Sequence, residues 1–314
     1  MNRAGSPGTR AHAGTRRFVR TRARMRMRRR AVAVGVGLAW ALGSFATGAA
    51  AQDAPVKRTE LRVCQDPNNL PFSNTKGEGI ENRIAEVFGK ALNLPVTYYS
   101  FPQRLAFARN TLRYKLPGQD YPCDIIIGVP VGFDEGVSVT KPYYRSTYAL
   151  VFPKGKGMDD ITTVDAFLAL GPAKLRTLRI GLYDRSPASA WLSRHALVES
   201  GVPYQMMNPD PQQYPGEILE KDLAQGKIDA AIVWGPIAGY FAQRVKSPQL
   251  VVLPLKSEPG LKLDYQMAMG VRYGERDWKQ QVEGLIESRQ AEIQGILKEY
   301  GVPLVDAASA APNN

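Results

Sequence analysis

From Glu60 onward, short apolar runs alternate with stretches of helical period, the pattern of an α/β fold with a largely parallel sheet. Leu61-Arg62-Val63-Cys64 reads as a first strand. After a polar loop over residues 65–79, apolar side chains recur at Ile80, Ile84, Val87, Phe88, Ala91 and Leu92, a spacing that lays one buried face along a helix. Residues 94–99 predict a second strand and residues 103–115 a basic helix. Residues 124–129 predict a third strand, whose nearly unbroken apolar character implies cover on both faces. Together these make one βαβαβ half.

A second half follows the same grammar. Residues 178–183 form a strand, and Ser186-Pro187 puts a capping hydroxyl before a proline at the first helical position. The helix opened there runs to about Ser200 and stops at Gly201 and Pro203. Residues 217–225 predict a helix and 228–234 a buried strand; residues 240–245 and 250–255 continue the unit. Two apolar segments bordered by Lys, Pro and Gly, residues 148–152 and 265–271, are placed to carry the chain into the second half and back. A last helix buries Trp278, Val282, Leu285, Ile286, Ile293, Ile296 and Leu297 and ends at Gly301 and Pro303. The expected organisation is a first lobe of residues 59–150 and 265–306, a second of residues 151–264, and a loose tail over 307–314.

Charge changes the reading of the N-terminus. The 314 residues include 41 basic and 29 acidic side chains, a formal charge of +12. Eleven of the basic residues are arginines between Arg3 and Arg30, and no acidic residue precedes Asp53, so the remainder is close to neutral. A neutral body has no electrostatic footprint for a phosphate backbone, which sets nucleic-acid binding aside. Arg28-Arg29-Arg30, the apolar run 31–41 and Ala49-Ala50-Ala51 lay out an export signal over residues 1–51 that is cleaved after Ala51. Export places the mature chain in the periplasm with no stable membrane insertion; a retained anchor is the alternative reading of the same run. In an oxidising compartment Cys64 and Cys123 are candidates for a disulfide, and two buried thiols if they lie at opposite ends of parallel strands.

Two α/β lobes joined by paired hinge strands resemble the type 2 periplasmic binding proteins, which hold a small ligand in the cleft between lobes. Five motifs narrow the resemblance. They are Asp66-Pro67-Asn68-Asn69-Leu70-Pro71-Phe72-Ser73-Asn74, Phe101-Pro102-Gln103-Arg104, Arg109-Asn110-Thr111-Leu112, Cys123-Asp124 leading to Gly128-Val129-Pro130, and Pro142-Tyr143-Tyr144-Arg145-Ser146-Thr147-Tyr148. In combination they resemble the J proteins of the MoxJ/XoxJ type, solute-binding-like proteins associated with periplasmic quinoprotein dehydrogenases. The resemblance implies a non-catalytic accessory role beside a methanol or alcohol dehydrogenase. The pyrroloquinoline quinone (PQQ) and its calcium or lanthanide ion would be carried by that partner, and no cofactor by this chain. The alternative is a receptor that captures a small polar solute for an ABC-type transporter.

Candidate cleft residues follow from position. Asp66, Asn68, Asn69 and Phe72 lie in the loop at the carboxyl end of the first strand, where open α/β sheets bind ligands, although Asp66-Pro67-Asn68 is equally the chemistry of a plain turn. Arg104 in its motif, Pro130 after the third strand and Trp234 after the strand 228–234 join them. Glu81, Arg109 and Arg113 are helical charges whose plainer place is solvent. Tyr143, Tyr144 and Arg145 either line the opening between lobes or pack at a lobe edge. Asp184, Arg185 and Ser186 precede a helix whose free N–H groups suit an anion, unless Ser186 only caps it.

Amino-acid receptors of this fold carry an arginine after the third strand and an aspartate in the second lobe. Here those stretches read Val129-Pro130-Val131-Gly132-Phe133-Asp134 and Trp234-Gly235-Pro236, and a buried zwitterion without paired partners is costly. Past the export signal the one histidine is His195, and no metal-ligand cluster or phosphate loop accompanies it, so no enzyme is expected.

Overall fold

The structure, a computed structural model, describes residues 57–103, 106–206, 210 and 212–306; residues 1–51, expected to be an export signal, Arg104 and the expected tail over 307–314 lie outside them. In chain order the elements are β1 Leu61–Gln65, the short strands β2 Asn68–Asn69 and β3 Ser73–Asn74, α1 Ile80–Leu92, β4 Val96–Ser100, the single turn α2 Phe107–Asn110, β5 Ile125–Pro130, β6 Val137–Val139 and β7 Tyr144–Pro153. The chain continues through α3 Val164–Leu168, α4 Gly171–Leu175, β8 Ile180–Tyr183, α5 Pro187–Arg194, β9 Gly201–Tyr204 and a π-helical segment Ile218–Leu223. Then come β10 Ala230–Trp234, α6 Gly235–Arg244, β11 Leu250–Pro254, β12 Asp264–Arg272, α7 Arg276–Ser288 and α8 Gln290–Glu299.

The strands pair as two groups joined through β7. In the first, β1 lies parallel between β4 and β5, and β12 runs antiparallel to β5, β6 and β7. In the second, β8 lies parallel between β9 and β10, while β7 runs antiparallel to β10 and β11. Residues 144–147 of β7 pair with β12 and residues from Tyr148 onward pair with β10 and β11, so this one strand crosses between lobes and β12 brings the chain back. The fold is therefore the mixed α/β, two-lobed architecture of the type 2 periplasmic binding proteins, with the parallel pairings lying within each lobe.

Burial explains the elements. On α1, Ile80, Ile84 and Phe88 are fully buried against Leu61, Val63, Ile125 and the inner faces of α7 and α8. Each such side chain withdraws enough apolar area to contribute about 1.5–3 kcal/mol. In the second lobe β10 alternates, Ala230 and Ile232 packing with Trp191 on one face, Ala231 and Val233 with Ile218 and Phe241 on the other. Cover on both faces is what a strand of unbroken apolar residues requires.

Several elements differ from the sequence expectation, each for a local reason. The basic helix expected over 103–115 is one turn. Ala106 precedes it at φ 63°, the Thr111 hydroxyl donates back to the Phe107 carbonyl at 2.8 Å, and Phe107, Ala108 and Leu112 are buried around the disulfide between Cys64 and Cys123. That disulfide forms because β1 and β5 are direct neighbours, with Cys64 opposite Ile126 and a Cα separation of 5.3 Å. The helix opened at Ser186 ends at Arg194, and Gly201 and Pro203 belong to strand β9; as the last strand of its sheet, β9 can carry a proline on its open edge. The C-terminal helix breaks at Arg289, which lets the Gln290 and Gln294 amides donate to the Tyr143 carbonyl at 2.9 and 3.3 Å.

Behind the hinge, α6 of the second lobe packs on the C-terminal segment that returns to the first. A Cβ on Gly239 would stand 1.8 Å from the Gly301 carbonyl oxygen, and the Tyr240 and Tyr300 rings stack at 5.5 Å. Gly239→Ala is therefore expected to cost about 1–3 kcal/mol by overpacking, read as a lower urea midpoint. Gly284→Ala on α7, where a Cβ meets nothing within 4 Å, is the contrasting control and should gain about 0.5–1 kcal/mol.

Candidate functional site

In the second lobe the carboxyl ends of the parallel strands carry aromatic residues. Tyr183 ends β8, Tyr204 ends β9 and Trp234 ends β10. Open α/β sheets bind ligands at this edge, and here it opens on a cavity of about 200 Å3 walled by Tyr148, Tyr183, Tyr214 and Trp234, with Ser186, Gln205 and Gln213 as its polar groups. Tyr148 comes from β7 directly opposite Trp234 in register, and their rings meet edge to face at 5.5 Å. Tyr265 of β12 meets the same two rings edge to face at 6.5 and 5.8 Å.

Two of the phenols are committed elsewhere. Tyr183 donates to the Pro215 carbonyl at 2.8 Å and Tyr214 to the Glu220 carboxylate at 2.7 Å, so both offer the cavity only their rings. Burial first, and then the neighbouring carboxylates Glu217 for Tyr183 and Glu220 for Tyr214, raise both phenols above their ordinary range. Burial and the adjacent Tyr265 do the same to Tyr148. Among the described residues, none that lines the cavity carries a charge.

The loop after β1 of the first lobe packs on the second lobe nearby. Asp66 is buried, and its carboxylate accepts the backbone N–H of Asn68 at 2.8 Å and that of Gln103, so it shapes the loop in the manner of a turn aspartate. The Asn69 amide donates to the Gln103 side chain at 2.7 Å. β2 and β3 pair as a small ribbon whose tip packs Leu70 and Phe72 on the cluster that includes Tyr183, Tyr214 and Trp234. From the same tip the Asn68 amide donates to the Gln212 carbonyl of the second lobe at 3.2 Å.

Behind this ribbon lies Glu81, the second residue of α1. Its carboxyl is folded over Gly128, where a Cβ would stand 2.1 Å from Oε1. Burial, and secondarily the Asp66 charge, push it up to about 8. At neutral pH it is therefore mostly an uncharged carboxyl, not the solvent-facing charge expected for a helix surface.

The remaining candidates separate into residues at the cavity and residues elsewhere. Ser186 and Trp234 line it, and Phe72 packs on the apolar cluster beside it. Tyr143 and Tyr144 do not reach the opening. Both are buried in the core of the first lobe, where the Tyr143 hydroxyl donates to the Ile127 carbonyl at 3.0 Å and the two rings meet edge to face. Arg145 is held inside the hinge by Asp264, with Nε to Oδ1 at 2.7 Å. Arg185 is 81% exposed and turns outward beside Asp184, whose carboxylate accepts the Met206 N–H at 2.8 Å. Arg109 and Arg113 are exposed, and Pro130 closes β5 opposite Met267. Tyr148, Tyr183, Tyr214, Gln205 and Gln213 were not anticipated. The usable signal for Tyr183 was its place as the last residue of an expected strand, the same signal that singled out Trp234.

No metal-binding group of three or more His, Cys, Asp or Glu side chains occurs among the described residues, and none of their helices is long and apolar enough to cross a membrane.

No family model matches the chain. It is similar to Protein MoxJ of Paracoccus denitrificans, 27% identical over 273 residues that cover 83% of this chain and 94% of the relative. It is similar to the crystal structure of the periplasmic binding protein XoxJ from Methylobacterium extorquens AM1, at 38% identity and a TM-score of 0.62, covering 78% of this chain and 99% of that one. The crystal structure of MxaJ from Methlophaga aminisulfidivorans MPT shares the fold, at 23% identity and a TM-score of 0.63, covering 78% of this chain and 100% of that one. With the five motifs in place and XoxJ matched over nearly its full length, the chain belongs to the MoxJ/XoxJ-type periplasmic binding proteins.

Proposed function

We propose that this protein works in the periplasm as a non-catalytic accessory protein of methanol oxidation. It associates with a PQQ-dependent methanol or alcohol dehydrogenase and helps to activate or mature it, while the quinone and its calcium or lanthanide ion stay with the dehydrogenase. The observation that carries the reading is the 38% identity to XoxJ across 99% of that chain. Two features of the site support it. Among the described residues, the cavity lining lacks the charged pair that would hold an amino acid. The one strongly perturbed carboxyl, Glu81, makes no side-chain hydrogen bond among the described residues that would make it half of an acid–base pair.

The test uses the mature protein tagged after Ala307, incubated with periplasmic extract of its host grown on methanol. Retention of a quinoprotein dehydrogenase, and a rise in that purified enzyme's activity when the protein is added back, are expected. Retention of permease components in place of a dehydrogenase would favour the receptor reading, for which the aromatic cavity is the specific observation.

A further inference from the structure

Charge gathers at the amino-terminal ends of the second lobe's parallel strands, the end of that lobe opposite the cavity. Residues 151–264 carry thirteen basic and twelve acidic side chains, so the lobe as a whole is close to neutral. At this pole the balance differs: the segments 153–160, 174–179, 222–229 and 246–249 hold seven of the basic residues and four carboxylates. The segments meet in space. Arg179, just before β8, donates to the Gly226 carbonyl at 2.8 Å, and the Lys156 ammonium lies 3.3 Å from where a Cβ on Gly226 would stand. Lys227 follows Gly226 in the chain. The Lys154 N–H donates to the Gln249 carbonyl at 2.8 Å, which brings residues 246–249 alongside.

Two ion pairs fix the pattern, Arg179 with Asp229 at 3.0 Å and Lys227 with Asp222 at 2.9 Å. Lys154, Lys156, Lys174, Arg176 and Lys246 are exposed and form no ion pair among the described residues; Asp159 and Asp160 are the exposed carboxylates beside them. Like charges gathered on one surface repel one another, so folding gains nothing from this arrangement. Among the described residues, no large apolar side chain is exposed in these four segments. A face that inserts into lipid needs such side chains. Fixed cations suit a rigid surface of opposite sign, where complementary charge speeds encounter and sets register. The cavity lies at the other end of β8 and β10, at Tyr183 and Trp234, so a partner seated on the pole leaves it open.

We propose that this pole is where the protein docks on the dehydrogenase, against a patch of Asp and Glu side chains on that enzyme. The assignment rests on the accessory reading and adds to it the face and the chemistry of the contact.

The experiment measures binding of the dehydrogenase purified from the host to the mature protein by calorimetry, at about 50 and about 500 mM salt, a range over which exposed charges become strongly screened. Two variants carry the same change of net charge in different places: Lys154→Glu/Lys156→Glu/Lys246→Glu at the pole, and Lys76→Glu/Lys90→Glu/Lys298→Glu at exposed positions of the first lobe. At low salt the pole variant is expected to bind at least about tenfold more weakly than the parent, and the first-lobe variant within about threefold of it. At high salt the loss at the pole should shrink to below about threefold. Lys246→Glu alone, in the loop after α6, should weaken binding about three- to fivefold, and it carries the test if the triple variant is less stable. Equal losses in the two triple variants, or no loss in the pole variant, would overturn the assignment and leave the accessory reading standing. A parent protein that binds no dehydrogenase overturns both. Sedimentation of the parent but not the pole variant with phosphatidylglycerol vesicles, together with unchanged affinity for the dehydrogenase, would overturn the assignment in favour of a lipid surface.

Discussion

Asp124→Asn is expected to lower the unfolding free energy by about 3–5 kcal/mol, because it removes the buried carboxylate shared by Arg62 and Arg272 and leaves Arg272 with Glu275 alone. Asp124 follows the disulfide cysteine Cys123, and its side chain is 1% exposed. Arg62 donates to its two oxygens at 2.7 and 3.0 Å, and Arg272, itself 8% exposed, donates to the same carboxylate and to the Leu112 and Cys123 carbonyls. Burial alone would raise this carboxyl; the hydrogen bonds and charges of Arg62 and Arg272 overcome burial and hold it below its ordinary value. The amide keeps the shape and removes the charge, so urea unfolding isolates the electrostatic contribution. Adding Arg272→Met to Asp124→Asn should recover part of the loss, since the buried cation that has lost one of its two carboxylates disappears with it. A single variant within 0.5 kcal/mol of the parent would contradict this account.

The second large effect is a dependence on pH. The Glu81 carboxyl has an ordinary value of 4.5 and is pushed up to about 8 in the folded protein. Between those values the native state holds a proton that the unfolded chain has released, so the contribution of Glu81 to stability is fully present below about 4.5, falls as pH rises, and levels off above about 8. The difference across the window is on the order of 5 kcal/mol at about 1.4 kcal/mol per unit. Glu81→Gln removes the titration. Its urea midpoint should match the parent near pH 4.5 and exceed it increasingly toward pH 9; parallel profiles for the two proteins would show that Glu81 is not the group responsible.

Legibility in the sequence followed the range of the forces involved. The spacing of Ile80, Ile84 and Phe88 located α1 to the residue, because a helix buried on one side is specified by its own period. The stretch 103–115 also had helical composition. There the decision lay with partners distant in sequence: Asp66 accepting from Gln103, and the disulfide gathering Phe107, Ala108 and Leu112. Cys64 and Cys123 could not be paired without knowing that β1 and β5 are neighbours in register.

The site was partly legible for the same reason. Ser186 and Trp234 were readable as element ends, and Phe72 as part of the loop after β1. Tyr143 and Tyr144 were misplaced because adjacent aromatic residues before a strand look alike whether they face the core or an opening. Only the packing of α8 on this edge, with the Gln290 amide on the Tyr143 carbonyl, decides between those faces. The cavity wall itself joins Tyr148, Tyr183, Tyr214 and Trp234 from four separated segments, and no local pattern links them.

The contact between Gly239 and Gly301 bears on kinetics as well as on stability. With backbone against backbone on that side and the Tyr240 and Tyr300 rings stacked beside it, the rear of the molecule has no slack to give. On the front, the Asn68 amide reaches the Gln212 carbonyl and the apolar tip of a short ribbon packs on the second lobe, contacts that side chains can rearrange. Movement of the lobes is therefore expected to turn about the rear contact, which admits no added atom, and to be taken up at the front.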